Sequence, residues 1–153
     1  MIKLVKYQFA YTIADDIAKL MDKYLLKIKI KGGLDKNFLL VPVPLDKKRR
    51  AWRGFNQSEI ICDFLSKQIP CNYAKNILAK KSGLTPQVHV AERNSRLANV
   101  VGAFGCLDTE LVKNKNILLV DDVATTCATL NDCARALKSA GARYVAGFAF
   151  ARN

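Results

Sequence analysis

The chain has 153 residues, half of them hydrophobic and a quarter charged, with 25 Lys and Arg against 13 Asp and Glu and a formal net charge of +12. That is enough chain for a single domain, 1–153, with its own core, and nothing in it resembles a linker, a repeat or a low-complexity tract. The excess of cations suits polyanionic partners, whether phosphorylated ligands or nucleic acid. From the N-terminus, Thr12 to Ile30 has helical spacing, with Ile13, Ile17, Leu20, Met21, Tyr24, Leu25 and Ile28 on one apolar stripe. Thr12 can cap it, with Asp15 three residues on, and Lys31-Gly32-Gly33 stops it. This makes 1–33 a helical N-terminal segment ahead of a core over 34–153. Asn37 to Val43 predicts a buried strand ending in Pro-Val-Pro and feeding a loop over Pro42 to Asn56. Within that loop Lys47-Lys48-Arg49-Arg50-Ala51-Trp52-Arg53 carries five cations, one aromatic and no acid, although a charge run is usually just a solvated loop.

Ser58 to Ile69 predicts a helix, Asn76 to Lys80 a strand, and Ser82 to Val101 a polar, irregular stretch whose lone His89 receives no role. Ala103 to Leu107 and Asn116 to Val120 predict strands, Ala128 to Ala140 a helix stopped by Gly141, and Arg143 to Ala151 a last strand. Alternating strands and helices imply an α/β fold with a mainly parallel central sheet flanked by helices. Ligands of such sheets gather at the carboxyl ends of the strands. The 42–56 and 121–129 loops both lie on that edge, so the basic cluster is expected beside Asp121 and Asp122.

The five cysteines, at 62, 71, 106, 127 and 133, are odd in number, widely spaced and without a Cys-x-x-Cys pair. They argue against a zinc site or a disulfide framework and for reduced thiols in a cytoplasm. No secretory signal is expected, because Lys3 and Lys6 interrupt the first apolar residues. No membrane span is expected over Phe9 to Ile30, which Asp15, Asp16, Lys19, Asp22 and Lys23 interrupt.

The most informative segment is Asn116-Ile117-Leu118-Leu119-Val120-Asp121-Asp122-Val123-Ala124-Thr125-Thr126-Cys127-Ala128-Thr129-Leu130. An apolar strand ends in paired carboxylates, a hydroxyl-rich turn follows, and a helix begins. Backbone N–H groups of such a turn and the positive end of the helix suit a phosphate, with Thr125, Thr126 and Thr129 as further donors. Asp121 and Asp122 suit vicinal ribose hydroxyls. The competing explanation is capping, which Asp and Thr also favour. Capping would need only one acid, since successive strand side chains face opposite ways.

The segment resembles the phosphoribosyl-pyrophosphate (PRPP) signature of the type I phosphoribosyltransferases. Cys127 stands where that loop more often has glycine, a residue free to take positive φ. Three further strings resemble the ComF family, the phosphoribosyltransferase-like proteins of bacterial DNA uptake. They are Val41-Pro42-Val43-Pro44-Leu45 with Arg50-Ala51-Trp52-Arg53-Gly54-Phe55-Asn56-Gln57-Ser58-Glu59; Leu84-Thr85-Pro86-Gln87; and Glu92-Arg93 with Arg96-Leu97-Ala98-Asn99-Val100-Val101-Gly102-Ala103-Phe104. The resemblance runs from about Tyr7 to Arg152. Many ComF proteins begin with a four-cysteine zinc module. This chain starts where that module would have ended, so no zinc is expected.

The resemblance implies a type I phosphoribosyltransferase fold with a small hood over Met1–Gly33, and displacement of pyrophosphate from PRPP by a nitrogen nucleophile. Asp121 and Asp122 would hold the ribose, with Val123, Ala124, Thr125, Thr126, Cys127, Ala128 and Thr129 around the 5′-phosphate. Magnesium would be carried largely by the ligand, with Asp121 and Asp122 as its protein contacts. Arg53 and Arg96 join the acids as catalytic candidates, and Arg50, Arg53 and Arg93 are candidates for the pyrophosphate. Each arginine equally fits a surface role. Phe55, Phe104 and Trp52 are expected to pack. The 82–101 stretch resembles the family's flexible loop. A second reading is a single-stranded DNA module using Lys47, Lys48, Arg49, Arg50 and Trp52. A third is an adaptor between a competence helicase and recombination proteins.

Overall fold

A computed structural model describes residues 37–81 and 102–152, without the side chains of Lys47 and Arg152. The expected helix over Thr12–Ile30, the 1–33 hood segment, His89, Arg93 and Arg96 lie outside the described residues. In chain order the elements are β1 (Phe38–Pro42), α1 (Lys47–Arg53), α2 (Gln57–Gln68), β2 (Asn72–Tyr73), β3 (Leu78–Lys80), β4 (Phe104–Cys106), α3 (Thr109–Val112), β5 (Asn116–Ala124), α4 (Ala128–Ser139) and β6 (Tyr144–Arg152). Strands β2, β1, β5 and β6 form one sheet in that order, and every pairing in it is parallel. Strands β3 and β4 form a separate antiparallel pair.

The central strands read as unbroken apolar runs because both faces of the sheet are covered. All five residues of β1 are buried. One face carries Leu39, Val41, Ile117 and Leu119 against Leu130, Cys133 and Leu137 of α4. The other carries Phe38, Leu40, Leu118 and Val120 against Ile61, Cys62 and Leu65 of α2. The period-two alternation of a strand therefore divides one sequence run between two cores. Each fully buried leucine contributes about 1.5–3 kcal/mol. Burial also pushes the Cys62 and Cys133 thiols well above their ordinary range, as expected of packed, unreactive sulfur.

Asp132, on α4 and 2% exposed, ties the β3–β4 ribbon to the sheet. Its carboxylate accepts the backbone N–H groups of Gly102 at 2.7 Å and Phe104 at 3.1 Å, and pairs with Arg135. The Gly-Ala-Phe end of the 96–104 string is thus an anchoring segment, and Phe104 packs as expected at 7% exposure.

Several expectations need correction. The 42–56 segment is not simply a loop, because it contains α1. Asp46 caps that helix through the Lys48 N–H at 2.9 Å, its Lys, Arg and Ala residues are good helix formers, and Gly54 ends it at φ +84°. The strand expected from Asn76 begins only at Leu78, since Asn76 is left-handed at φ +59°. β5 runs four residues past its expected end at Val120, to Ala124. The short β2 and α3 were not anticipated; two and four residues leave no periodicity to read.

Candidate functional site

The site follows from unequal strand lengths. β5 pairs with β1 only as far as Pro42 opposite Val120, while its pairing with β6 continues to Ala124 opposite Arg152. Pro42 closes the β1 side, and the Val43 N–H makes the last bond to the Val120 carbonyl at 2.8 Å before the chain turns away. Asp121 and Asp122 are the first residues of β5 beyond that point. Ending β1 early opens a step in the carboxyl edge of the sheet, and the acids stand on it.

The two acids interact through their own strand, and Asp121 also bonds to α2. Asp121 Oδ1 accepts from the Ser58 hydroxyl at 3.3 Å and from the Asp122 N–H at 2.9 Å. Asp122 Oδ1 accepts the Val123 N–H at 2.7 Å. Burial, and then the neighbouring Asp122 charge, push the Asp121 carboxyl up to about 6, against the pull of the backbone and Ser58 hydrogen bonds.

Beyond the acids the chain turns through Thr125, Thr126 and Cys127 into α4. Cys127 sits at φ +56°, ψ +10°, the left-handed conformation in which glycine is at ease and other residues pay about 1–2 kcal/mol. The family's glycine therefore marks a real backbone demand, and cysteine meets it here with strain. No side chain caps α4 from this position, and its first turn holds no acid. The Ala128 N–H reaches only the Thr126 hydroxyl, at 3.4 Å. Asp121, Leu130 and every residue from Val123 to Thr129 line a depression of about 230 Å³ open to solvent. Asp122, next to Asp121 on the strand, is not in that lining.

The cations are arranged less simply than expected. Arg50 forks onto Glu59 of α2, at 2.8 and 3.2 Å, so it is engaged within the fold. Lys48, Arg49 and Arg53 are exposed on α1. Trp52 is 81% exposed, which overturns the expectation that it packs. The residue of this region that reaches Asp121 is uncharged Ser58.

A phosphoribosyl transferase domain model matches residues 56–152, from the cap of α2 through both acids and the turn to β6. The chain belongs to the phosphoribosyl transferase domain family. Among curated proteins, DNA utilization protein YhgH of Escherichia coli K12 is 30% identical over 146 residues, 95% of this chain and 63% of that protein. Competence protein ComFC of Bacillus subtilis is 33% identical over 127 residues, 78% of this chain and 46% of that protein. These likenesses make the chain a ComF-family protein with a phosphoribosyltransferase domain. It spans less than two thirds of the length of these curated relatives.

Solved structures agree on the fold. The Bacillus subtilis glutamine PRPP amidotransferase matches with a TM-score of 0.52 at 12% identity, covering 92% of this chain and 26% of that one. An allosteric regulatory enzyme of purine biosynthesis matches with a TM-score of 0.51 at 18% identity, covering 88% and 25%. The type I phosphoribosyltransferase fold is thus the architecture of this ComF-family domain.

Sequence reasoning on the ComF-like strings looked for arginines and overlooked Asn56 and Ser58. Asn56, 3% exposed, caps α2 by accepting the Ser58 N–H at 3.1 Å and donates to the Val43 carbonyl at 3.0 Å. The signal was present: Asn56 with Glu59 three residues on is a helix-start signature. Among the described residues of this ComF-family domain, no group of three or more His, Cys, Asp or Glu is arranged to hold a metal ion. None of their helices is long and apolar enough to cross a membrane.

Proposed function

We propose that the chain binds a 5-phosphorylated ribose, PRPP foremost, and transfers its phosphoribosyl group to a nitrogen nucleophile. The observation that carries this reading is the β5–α4 junction, where two carboxylates on an overhanging strand meet an uncapped helix start through a left-handed turn rich in hydroxyls. Ribose hydroxyls donate to Asp121 and Asp122. The 5′-phosphate takes the turn's N–H groups, the hydroxyls of Thr125, Thr126 and Thr129, and the positive end of α4. In the transfer, the anomeric carbon–oxygen bond breaks with its electron pair leaving on pyrophosphate. A carbon–nitrogen bond forms as the nucleophile gives up a proton. The acids stabilise the positive charge that develops between these events. Arg53, exposed on α1 with Lys48 and Arg49, is assigned to the leaving group, and Arg93 and Arg96 share that role by resemblance. Among the described residues Asp121 and Asp122 are the acids that would contact magnesium, which would otherwise be held by the substrate and water and would supply positive charge against the diphosphate.

Calorimetric titration with PRPP and magnesium tests the reading. Wild-type protein is expected to bind, with Asp121→Ala and Asp122→Ala each weakening binding at least about tenfold, the scale of a lost charge-assisted hydrogen bond. Absence of wild-type binding sinks it.

A second reading, handling of single-stranded DNA, is favoured by α1. There Trp52 at 81% exposure stands among exposed Lys48, Arg49 and Arg53. Base stacking plus phosphate contacts is how such strands are held, and the relatives are named for DNA utilization and competence. Oligonucleotide affinity should fall steeply with salt and drop with Trp52→Ala. A flat salt response counts against it.

A further inference from the structure

We propose that Ser58 is the positioning residue of the acidic pair, its hydroxyl fixing the Asp121 carboxylate to receive a ribose hydroxyl; this rests on the ribose-phosphate reading above. Four hydrogen bonds form a closed circuit that delivers this hydroxyl. The Val43 N–H donates to the Val120 carbonyl at 2.8 Å. The Val43 carbonyl accepts from Asn56 Nδ2 at 3.0 Å. Asn56 Oδ1 accepts the Ser58 N–H at 3.1 Å. The Ser58 hydroxyl then donates to Asp121 Oδ1 at 3.3 Å, one residue beyond Val120. The circuit begins and ends on β5 and crosses 63 residues of sequence at the Ser58–Asp121 bond.

Space filling does not account for the hydroxyl. Ser58 is 3% exposed, and an alanine would occupy the same volume without a polar atom to satisfy. The chemistry instead matches the acid. The Ser58 hydroxyl and the Asp122 N–H both converge on Oδ1, turning that oxygen into the protein and setting the plane of the carboxylate. A neutral donor orients the acid without cancelling the negative charge that the ligand's hydroxyls and the developing cation need. A lysine or arginine in its place would orient and neutralise together. The cationic end of the 50–59 string therefore lies on the surface, while its Gly-Phe-Asn-Gln-Ser end builds the frame for one hydroxyl.

A double-mutant cycle on PRPP–magnesium affinity, read by calorimetry with thermal midpoints measured in parallel, tests the proposal. Ser58→Ala should weaken binding about tenfold, the scale of a lost hydrogen bond to a charged group, with the midpoint close to wild type. In an Asp121→Asn background the same change should have less than a twofold effect, because Ser58 acts through the charged acid. If Ser58→Ala does not fold, Ser58→Cys keeps the shape with a far weaker donor and should reproduce the loss. Additive effects in the double variant, or an affinity loss matched by a large fall in midpoint, would make Ser58 merely structural and overturn the proposal. Unchanged affinity in Ser58→Ala overturns the role of Ser58 alone. Wild-type protein that does not bind PRPP removes the ribose-phosphate reading and this role with it.

Discussion

Two helices of twelve residues begin near the same edge of the sheet, pack on its opposite faces, and start in opposite ways. α2 is sealed: Asn56 is extended at φ −110°, its side chain accepts the Ser58 N–H, and Glu59 lies in the first turn. α4 is open: left-handed Cys127 offers no capping side chain, and no acid lies in the first turn. Both starts face the same overhang of β5. The difference separates structure from function. The sealed end gives its donors to the fold and sends one hydroxyl to Asp121. The open end, with only Ala128 N–H turned to the Thr126 hydroxyl, would on the proposed reading offer its start and dipole to an anion. On that reading, a fold with two sealed ends would be more stable but would have no helix start to offer a phosphate.

The largest expected effect comes from breaking the sealed end. Asn56→Ala removes the cap of α2 and leaves the Val43 carbonyl without its buried donor, and should lower stability by about 2–3 kcal/mol. Chemical denaturation measures it; a loss below about 1 kcal/mol would mean that α2 is held by its apolar face alone. Asp121, between the two helix starts, gives the next effect. Its carboxyl titrates near 3.8 in the unfolded chain and is raised to about 6 in the fold, chiefly by burial. Because the folded value is the higher, the native state takes up the proton first as pH falls, so this group's contribution to stability is complete below about 4 and is lost as pH rises through 6. Asp121→Asn should therefore stabilise the protein at pH 7.5 by roughly 1–2 kcal/mol after allowance for solvent screening, with the gain fading toward pH 4. Thermal midpoints of both proteins across that range check the sign. A gain that persists unchanged at pH 4 would locate its cause outside the titration.

The sequence was most legible where one pattern served one purpose. The apolar runs at 37–43 and 116–120 named the core strands, and the acid–hydroxyl string named the strand–turn–helix junction and even its demand for positive φ at Cys127. It was least legible where a residue's role depends on a distant partner. The run from Lys47 to Arg53 has one composition, yet the fold gives Arg50 to Glu59 and leaves Trp52 in solvent. Ser58 carries no local sign of Asp121, because the contact exists only after β1 ends short and α2 docks. The overrun of β5 was hidden for a similar reason: acids usually end strands, and only the register with β6 shows the strand continuing.

The smallest effect belongs to the open end, and two opposing contributions decide it. Cys127→Gly releases a left-handed conformation that costs a non-glycine residue about 1–2 kcal/mol, while glycine returns about 0.5–1 kcal/mol of freedom to the unfolded chain. The cysteine is also half-buried against the α4 side of the core, so its removal gives up packing on the order of 0.5–1 kcal/mol. The net change in stability should lie within about 1 kcal/mol of zero, measured by denaturation. Affinity carries the sharper information. The turn already holds the conformation that a glycine would take, so PRPP binding should change less than about threefold, an amount below 1 kcal/mol. A gain of tenfold or more in calorimetry would mean that the cysteine side chain occupies space the phosphate needs. The start of α4 would then be obstructed, and its contrast with α2 would lie in capping alone.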